Sequence, residues 1–230
     1  MRITQSGQTF HLLAERALYW QEEQILLLAD THFGKTGTFR QSGLHLPEGP
    51  DQSGTARLDQ LLHKWNPKRC IILGDFFHSS MNHNWKGVAA WTASHARAGR
   101  PLELIPGNHD ILQHRDYEEA GIRLLDPVTV LGPLRLVHEP PNGETAADGV
   151  YTLCGHLHPG IRLEGKGRQR MTVPCFLFGE HTGVLPAFGG FTGLHVIRPC
   201  STDRIYVPVA ESAESGGKGS VLAINQSRKP

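Results

Sequence analysis

Four cysteines in 230 residues, none in a C-x-x-C pair, do not make a zinc knuckle or a secreted disulfide framework. Cys70, Cys154, Cys175 and Cys200 sit in or beside apolar segments, a usage that suits a reducing compartment such as the cytoplasm. No apolar run approaches the length of a membrane span, and the opening residues lack the apolar core of a signal peptide, so no membrane partner is expected. Net charge is scarce as well. The 23 Lys+Arg against 22 Asp+Glu leave +1, which excludes a uniformly basic nucleic-acid binder and leaves room for a local basic face. No internal repeat is present. The length suits one domain over 1–210, large enough to bury a core without staples, while 211–230 turns to Ser, Gly and charge and reads as a poorly ordered tail. Histidine alone is in excess. Fourteen in 230 exceed what a fold requires.

Short apolar runs recur at 25–29, 70–73, 102–105, 134–137, 151–154, 175–178, 194–197 and 205–209. Runs of four or five aliphatic residues are typical of strands buried on both faces. Helical patterns lie between the early runs: 56–65 before Asn66-Pro67, 85–98 before Gly99, and a short one at 117–120. Strands alternating with helices imply an α/β layered fold in the first half. The second half is strand-rich, with 162–163 and 171–173 flanking a Gly-Lys-Gly turn as a hairpin. A strand pair at 10–13 and 17–20 opens the chain.

The histidines gather where these strands end. Asp30-Thr31-His32 follows the first buried run, and Gly74-Asp75-Phe76-Phe77-His78 the second. Gly107-Asn108-His109-Asp110 follows the third, His138 the fourth, and Gly155-His156-Leu157-His158 the fifth. In open α/β sheets ligands bind beyond the carboxyl ends of strands, so these groups converge on one crevice. In extended backbone, residues two apart share a side, which pairs Asp30 with His32 and His156 with His158.

Carboxylates, imidazoles and one amide oxygen without thiolate suit divalent ions of intermediate hardness, such as Mn, Fe or Zn. Seven candidate ligands (Asp30, His32, Asp75, Asn108, His138, His156 and His158) exceed what one ion needs. Two ions sharing Asp75 as a bridge use them better. Two divalent cations against two carboxylates leave a net positive site, matched to a phosphodiester; such ions generate hydroxide near neutral pH and polarise phosphoryl oxygens. His109, left over from the ligand set, is placed to protonate a leaving alkoxide, with Asp110 to orient it.

The ordered set D-x-H, G-D-x-x-H, G-N-H-D, H and G-H-x-H, spread over about residues 25–160, resembles the calcineurin-like metallophosphoesterases. The resemblance implies a layered α-β-β-α sandwich with a dinuclear metal site at the C-terminal ends of the strands. It would place Asp30, His32, Asp75 and His158 on one metal, and Asp75, Asn108, His138 and His156 on the other. His109 would be the general acid. The phosphate-gripping arginine motif of the protein phosphatases is missing. Residues 30–34 and 74–80 look instead like the catalytic subunits of double-strand-break repair nucleases, in which the position of His78 lies near the scissile phosphodiester. Residues 30–49, 154–160 and 185–193 look like the bacterial ligase-associated DNA damage response endonucleases, extending the resemblance over about 25–200. This implies DNA as substrate, and a DNA ligase, a helicase and a nuclease as pathway partners. Thr31 stands where Leu or Met is usual in that group, a departure of little expected consequence because the side chain should point away from the metals.

Lys35 and Arg40 follow the first ligand pair, and Arg162, Lys166, Arg168 and Arg170 cluster on the expected hairpin. Loop cations beside metals bind flanking phosphates, although the same charges also occur as ordinary solvated loops. Asn108, Lys35, Arg40, Arg168 and Arg170 are the candidate substrate contacts. The sequence thus reads as a Mn-dependent phosphodiesterase, with DNA endonuclease activity in bacterial repair as the leading function. The alternatives are a small-nucleotide phosphodiesterase and a non-catalytic scaffold on the same fold.

Overall fold

The computed structural model describes residues 1–35, 49–78, 83–141, 149–165, 169–190, 192–210 and 219–224, with 49–53 and 83 described by backbone alone. In chain order the elements are β1 (Arg2–Gln5), β2 (Gln8–Leu12), β3 (Leu18–Trp20), β4 (Ile25–Ala29), α1 (Gly49–Trp65), β5 (Arg69–Leu73), α2 (His83–Arg97), β6 (Leu102–Ile105), α3 (His114–Glu119) and β7 (Arg123–Leu124). There follow β8 (Thr129–Leu131), β9 (Leu134–Leu136), β10 (Tyr151–Cys154), β11 (Pro159–Glu164), β12 (Arg170–Pro174), β13 (Phe176–Phe178), β14 (Thr182–Val184), β15 (His195–Val196), β16 (Arg204–Val209) and β17 (Ser220–Ile224).

One seven-stranded sheet runs β1-β2-β3-β4-β5-β6-β7, and a second runs β17-β16-β13-β14-β10-β9-β8. The two pack face to face. Period-2 alternation assigns each side chain of the central strands to one of two cores. Leu27, Ala29, Ile71, Leu73 and Ile105 meet Leu134, Leu136, Leu153 and Phe176 between the sheets. Leu26, Leu28, Ile72, Leu102 and Leu104 meet Leu58 and Leu61 of α1, Trp85 and Val88 of α2, and Tyr117 of α3 on the outer face. Burial on both faces is why these strands read as unbroken apolar runs.

The sandwich expected from the sequence is present, and its fourth layer has a distinct composition. The three described helices cover the first sheet. The outer face of the second sheet is covered, among the described residues, by the small sheet β12-β11-β15, whose Ile161 and Val173 pack on Cys175, Ile205 and Val207. The reading of 211–230 as a poorly ordered tail fails for Ser220–Ile224, which pairs antiparallel with β16 along its whole length. Val221 enters the core between the sheets and Ile224 packs on the outer cluster. Five residues of apolar pattern were diluted by the Ser, Gly and charge around them. All four cysteines are free thiols.

Leu27 is fully buried between the sheets, so Leu27→Ala should cost about 2–5 kcal/mol. Leu222, in β17 but 53% exposed, should change stability by no more than about 0.5 kcal/mol when made Ala. Denaturant midpoints at unchanged m-value check both.

Candidate dinuclear metal centre

The parallel register brings the strand ends level. Ala29 pairs with Leu73 across β4 and β5, and Leu73 with Ile105 across β5 and β6, so Asp30, Asp75 and Asn108 emerge side by side. In the second sheet β9 and β10 are also parallel, and they release His138 and His156 toward the same seam. Backbone bonds continue past the strands, from Asp30 N–H to Gly74 O (3.1 Å) and from His32 N–H to Asp75 O (2.9 Å). The sheets are joined across the seam by the His156 N–H, which donates to both carboxylate oxygens of Asp30 at 3.1 and 2.9 Å.

The ligand residues do not reach the crevice on extended backbone. Asp30, His32, Asp75, His156 and His158 have φ of 52°, 45°, 52°, 66° and 46°, in the left-handed region that Asp and His tolerate better than most residues. Left-handed turns bring Asp30 and His32 into one group, whereas His156 and His158, expected as a pair, separate: His156 faces His138 and Asn108, and His158 faces His32 and Asp30. Such backbone costs of order 1–3 kcal/mol at each residue and persists where surrounding structure enforces it. Two glycines show how tightly it is enforced. A Cβ on Gly74 would lie 2.1 Å from His138 Nδ1, and one on Gly155 would lie 2.6 Å from Asp30 Oδ2.

Asp30, His32, Asp75 and His138 are no more than 4% exposed, and they face two groups of partners. On one side His32 Nε2 lies 3.3 Å from His158 Nε2 and 3.7 Å from Asp75 Oδ2, while His158 Nε2 is 3.4 Å from Asp30 Oδ1. On the other, His138 Nε2 is 3.0 Å from Asn108 Oδ1, 3.1 Å from His156 Nδ1 and 3.4 Å from Asp75 Oδ1. The two oxygens of Asp75 thus face different imidazoles. Asp30, His32 and His158 have ligand atoms within 4.8 Å of one another, as do Asp30, Asp75 and His138. Asp30 therefore belongs to both groups, a sharing the sequence assigned to Asp75 alone.

These atoms fit divalent cations on chemical grounds. His138 Nδ1 donates to Leu73 O at 2.9 Å, which leaves Nε2 a bare lone pair facing the oxygens of Asn108 and Asp75. His158 Nδ1 likewise donates to Gly193 O at 3.2 Å and turns Nε2 toward Asp30. Lone pairs converging on lone pairs are satisfied by a cation, and the outer hydrogen bonds fix the imidazole tautomers that coordination needs. Burial, followed by the nearby positive groups Lys35, His158, His78 and His109, pushes the His32 pKa down to about 2, so its ring stays neutral. Its Nδ1 is buried without a hydrogen-bond partner.

His109 forms the rim. Its backbone N–H donates to Asp75 Oδ1 at 2.9 Å, its Nε2 lies 4.0 Å from Asp75 Oδ2, and its side chain is 41% exposed. His78 stacks beside it with ring centroids 5.0 Å apart. Lys35 is partly buried close enough to Asp75 for the carboxylate to oppose the burial that lowers its pKa. The seven candidate ligand residues and His109 are thus brought together at one seam, whereas Asp110 faces elsewhere. Asp110 does not orient the His109 imidazole. Its carboxylate accepts from the N–H groups of Gly107 (2.9 Å), Phe76 (3.0 Å) and Phe77 (3.3 Å), tying two ligand loops together. A carboxylate three residues beyond the turn at Gly107 is drawn to those unpaired amides before it can reach the ring of its own neighbour.

Arg40, Lys166 and Arg168 lie outside the described residues. Arg170 is in β12, on the far strand of the expected hairpin, and its Nε is 3.4 Å from Glu164 Oε1 at the surface, so its charge is partly offset. Thr31, expected to matter little, has a buried hydroxyl that donates to Phe76 O at 2.9 Å and ties the first two candidate ligand loops. It also left 185–193 without a physical role. Phe188 N–H donates to Ala29 O and Gly189 N–H to Asp30 O (2.8 and 3.0 Å), buttressing the first ligand loop from behind. Arg57 lies over the Phe188 ring at 4.0 Å, supporting the buttress in turn. No spacing pattern signals either contact.

Residues 24–178 match the family model of calcineurin-like phosphoesterases. The chain belongs to that family and is a metal-dependent phosphoesterase, built on the layered fold with its ligand cluster at the strand ends. Among solved structures it is similar to the Pseudomonas putida nuclease MPE, with 34% identity, 91% of this chain and 96% of that one covered, and a TM-score of 0.75. The Escherichia coli phosphoesterase YfcE is a more distant likeness, at 16% identity, 87% and 99% coverage and a TM-score of 0.41. No curated protein matches the chain.

Gly74→Ala should displace His138, so the variant is expected to purify with less bound metal and a lower melting temperature; unchanged metal content would show that the loop yields instead. In chelator-treated protein the depressed His32 supports a stability that is complete above about pH 6.5 and is lost as pH falls, because the unfolded imidazole takes up the proton. Asp110, pushed up to about 6 by burial, acts oppositely, its contribution being present in acid and lost as pH rises through 6. Asp110→Asn should therefore lose stability more steeply on acidification than the parent chain. Denaturation curves over this pH range check the sign.

Proposed function

We propose that this protein is a dimetal phosphodiesterase that cleaves DNA, with Mn as the working metal. In this reading Asp30, His32, Asp75 and His158 hold one ion and Asp75, Asn108, His138 and His156 the other, with Asp30 close enough to both to share. When bound, such ions act as Lewis acids on the phosphoryl oxygens and lower the pKa of water to near neutrality. The observation that carries the reading is an exposed His109 pinned through its backbone to the central carboxylate of a complete ligand set, in a chain 34% identical to a nuclease over almost its whole length.

The chain's own residues divide the remaining work. His109 Nε2 gives a proton to the departing sugar oxygen, while the bond from its N–H to Asp75 fixes where that proton is delivered. The Asn108 amide and the Lys35 ammonium face the phosphate oxygens. His78, whose pKa is lowered by burial and by Lys35, stands beside His109 as a neutral partner on the diester. A role in bacterial DNA repair, alongside a ligase, a helicase and a nuclease in the cytoplasm, belongs to the same proposal. No described helix is long and apolar enough to cross a membrane. A small-nucleotide phosphodiesterase differs from this reading in substrate alone.

Hydrolysis of bis-p-nitrophenyl phosphate, cyclic nucleotides and single- and double-stranded DNA with added Mn tests the assignment. Cleavage of DNA is expected, and turnover confined to cyclic nucleotides would replace it with the small-nucleotide reading. His109→Ala should retain metal and lose about 10²–10⁴-fold on DNA, whose alkoxide leaving group needs a proton. It should lose far less on an ester releasing p-nitrophenolate; equal losses on both would remove His109 as the acid.

A further inference from the structure

A second recess opens beside the metal centre, and the chemistry described so far does not use it. It encloses about 450 Å³ and shares a wall with Asn108 and His138. Its other walls are Pro106, Pro127, Pro141, Val128 and Val137, with Arg135 and Glu139 among them. This is the size and composition of a small-molecule site, with apolar surfaces and few polar groups. Three of the lining residues are prolines, whose φ is fixed near one value. Val128 is 57% exposed in a position that contributes nothing to either core.

We propose that this recess binds the nucleoside arm of the substrate on one side of the scissile phosphate. The inference rests on the phosphodiesterase reading and extends it to the identity of one arm. A phosphodiester has two arms. With its phosphorus at the ligand cluster, the arm nearest Asn108 and His138 faces this recess, because those two residues belong to both. A nucleobase has apolar faces, which suit the proline and valine walls, and an edge bearing donors and acceptors. Among the lining residues Arg135 carries donors, and Glu139, whose carboxylate lies 4.0 Å from His156 Nδ1, carries acceptors for such an edge. A bare phosphate monoester or an alkyl arm would leave the recess unfilled.

The test compares three p-nitrophenyl diesters that share a leaving group and differ in the other arm: methyl, phenyl and thymidine. The thymidine ester is expected to show a KM about tenfold below that of the methyl ester, the scale of burying a small apolar surface. Val128→Trp, which fills the recess, should abolish that difference and leave kcat/KM for the methyl ester unchanged. Val128→Lys, a second exposed substitution, should weaken it in the same direction, and melting curves confirm that both variants are folded. Equal KM values in the parent protein, or a preference that survives both substitutions, would overturn the proposal. A phenyl ester bound as well as the thymidine ester would also overturn it, by making the recess a general apolar slot. Those results leave phosphodiesterase activity intact. If no diester is hydrolysed, the parent reading fails and takes the recess assignment with it.

Discussion

Two carboxylates withdrawn from water organise this molecule. Asp30 and Asp75 are 0% and 2% exposed at the seam where the two sheets meet. Burying an ionised carboxylate costs several kcal/mol unless charge and hydrogen bonds offset it. Within the chain the offset comes from backbone N–H groups on other loops, His156 to Asp30 and His109 to Asp75, and from imidazoles that crowd both anions. Each of these contacts joins segments distant in sequence. The same bonds that compensate the anions therefore lock the sheets at their carboxyl ends and hold five non-glycine residues in left-handed backbone. Divalent cations, when bound, would complete the compensation, and the same residues that would hold them also join the two sheets.

From that buried floor the site grades outward. His32 and His138 lie beneath the surface, His158 and His156 are 18% and 35% exposed, and His109 is the most open at 41%. The groups that would hold cations are thereby the most shielded from solvent, and the group proposed to give a proton away is the most open. Lys35 and His78 border the same opening. The small sheet that carries His158 at its edge covers the second sheet on the side the helices leave free.

Much of this was legible in the sequence because the physics behind it is local. Unbroken aliphatic runs reveal doubly buried strands, and Asp or His directly after them reveals a site at strand ends. That the residues after these strands gather at one seam followed from their positions alone. What stayed hidden depends on contacts between distant segments. Asp110 reads as a partner of its neighbour His109, yet backbone amides from two loops claim it. Thr31 reads as an indifferent substitution, yet its hydroxyl ties Asp30 to the Asp75 loop. The strand at 220–224 is invisible to composition because its neighbours dilute it, and only the exposed edge of β16 shows why it forms.

Asp75 stands at the centre of the site with its two oxygens facing different imidazoles, and in the proposed function it would be shared by two cations. Electron paramagnetic resonance of the Mn-loaded protein, with metal content measured on the same sample, tests this sharing most directly. Two Mn ions per chain with an exchange-coupled spectrum are expected, and Asp75→Asn should lose the coupling along with tight binding. One Mn per chain, or two ions with uncoupled signals, would contradict it.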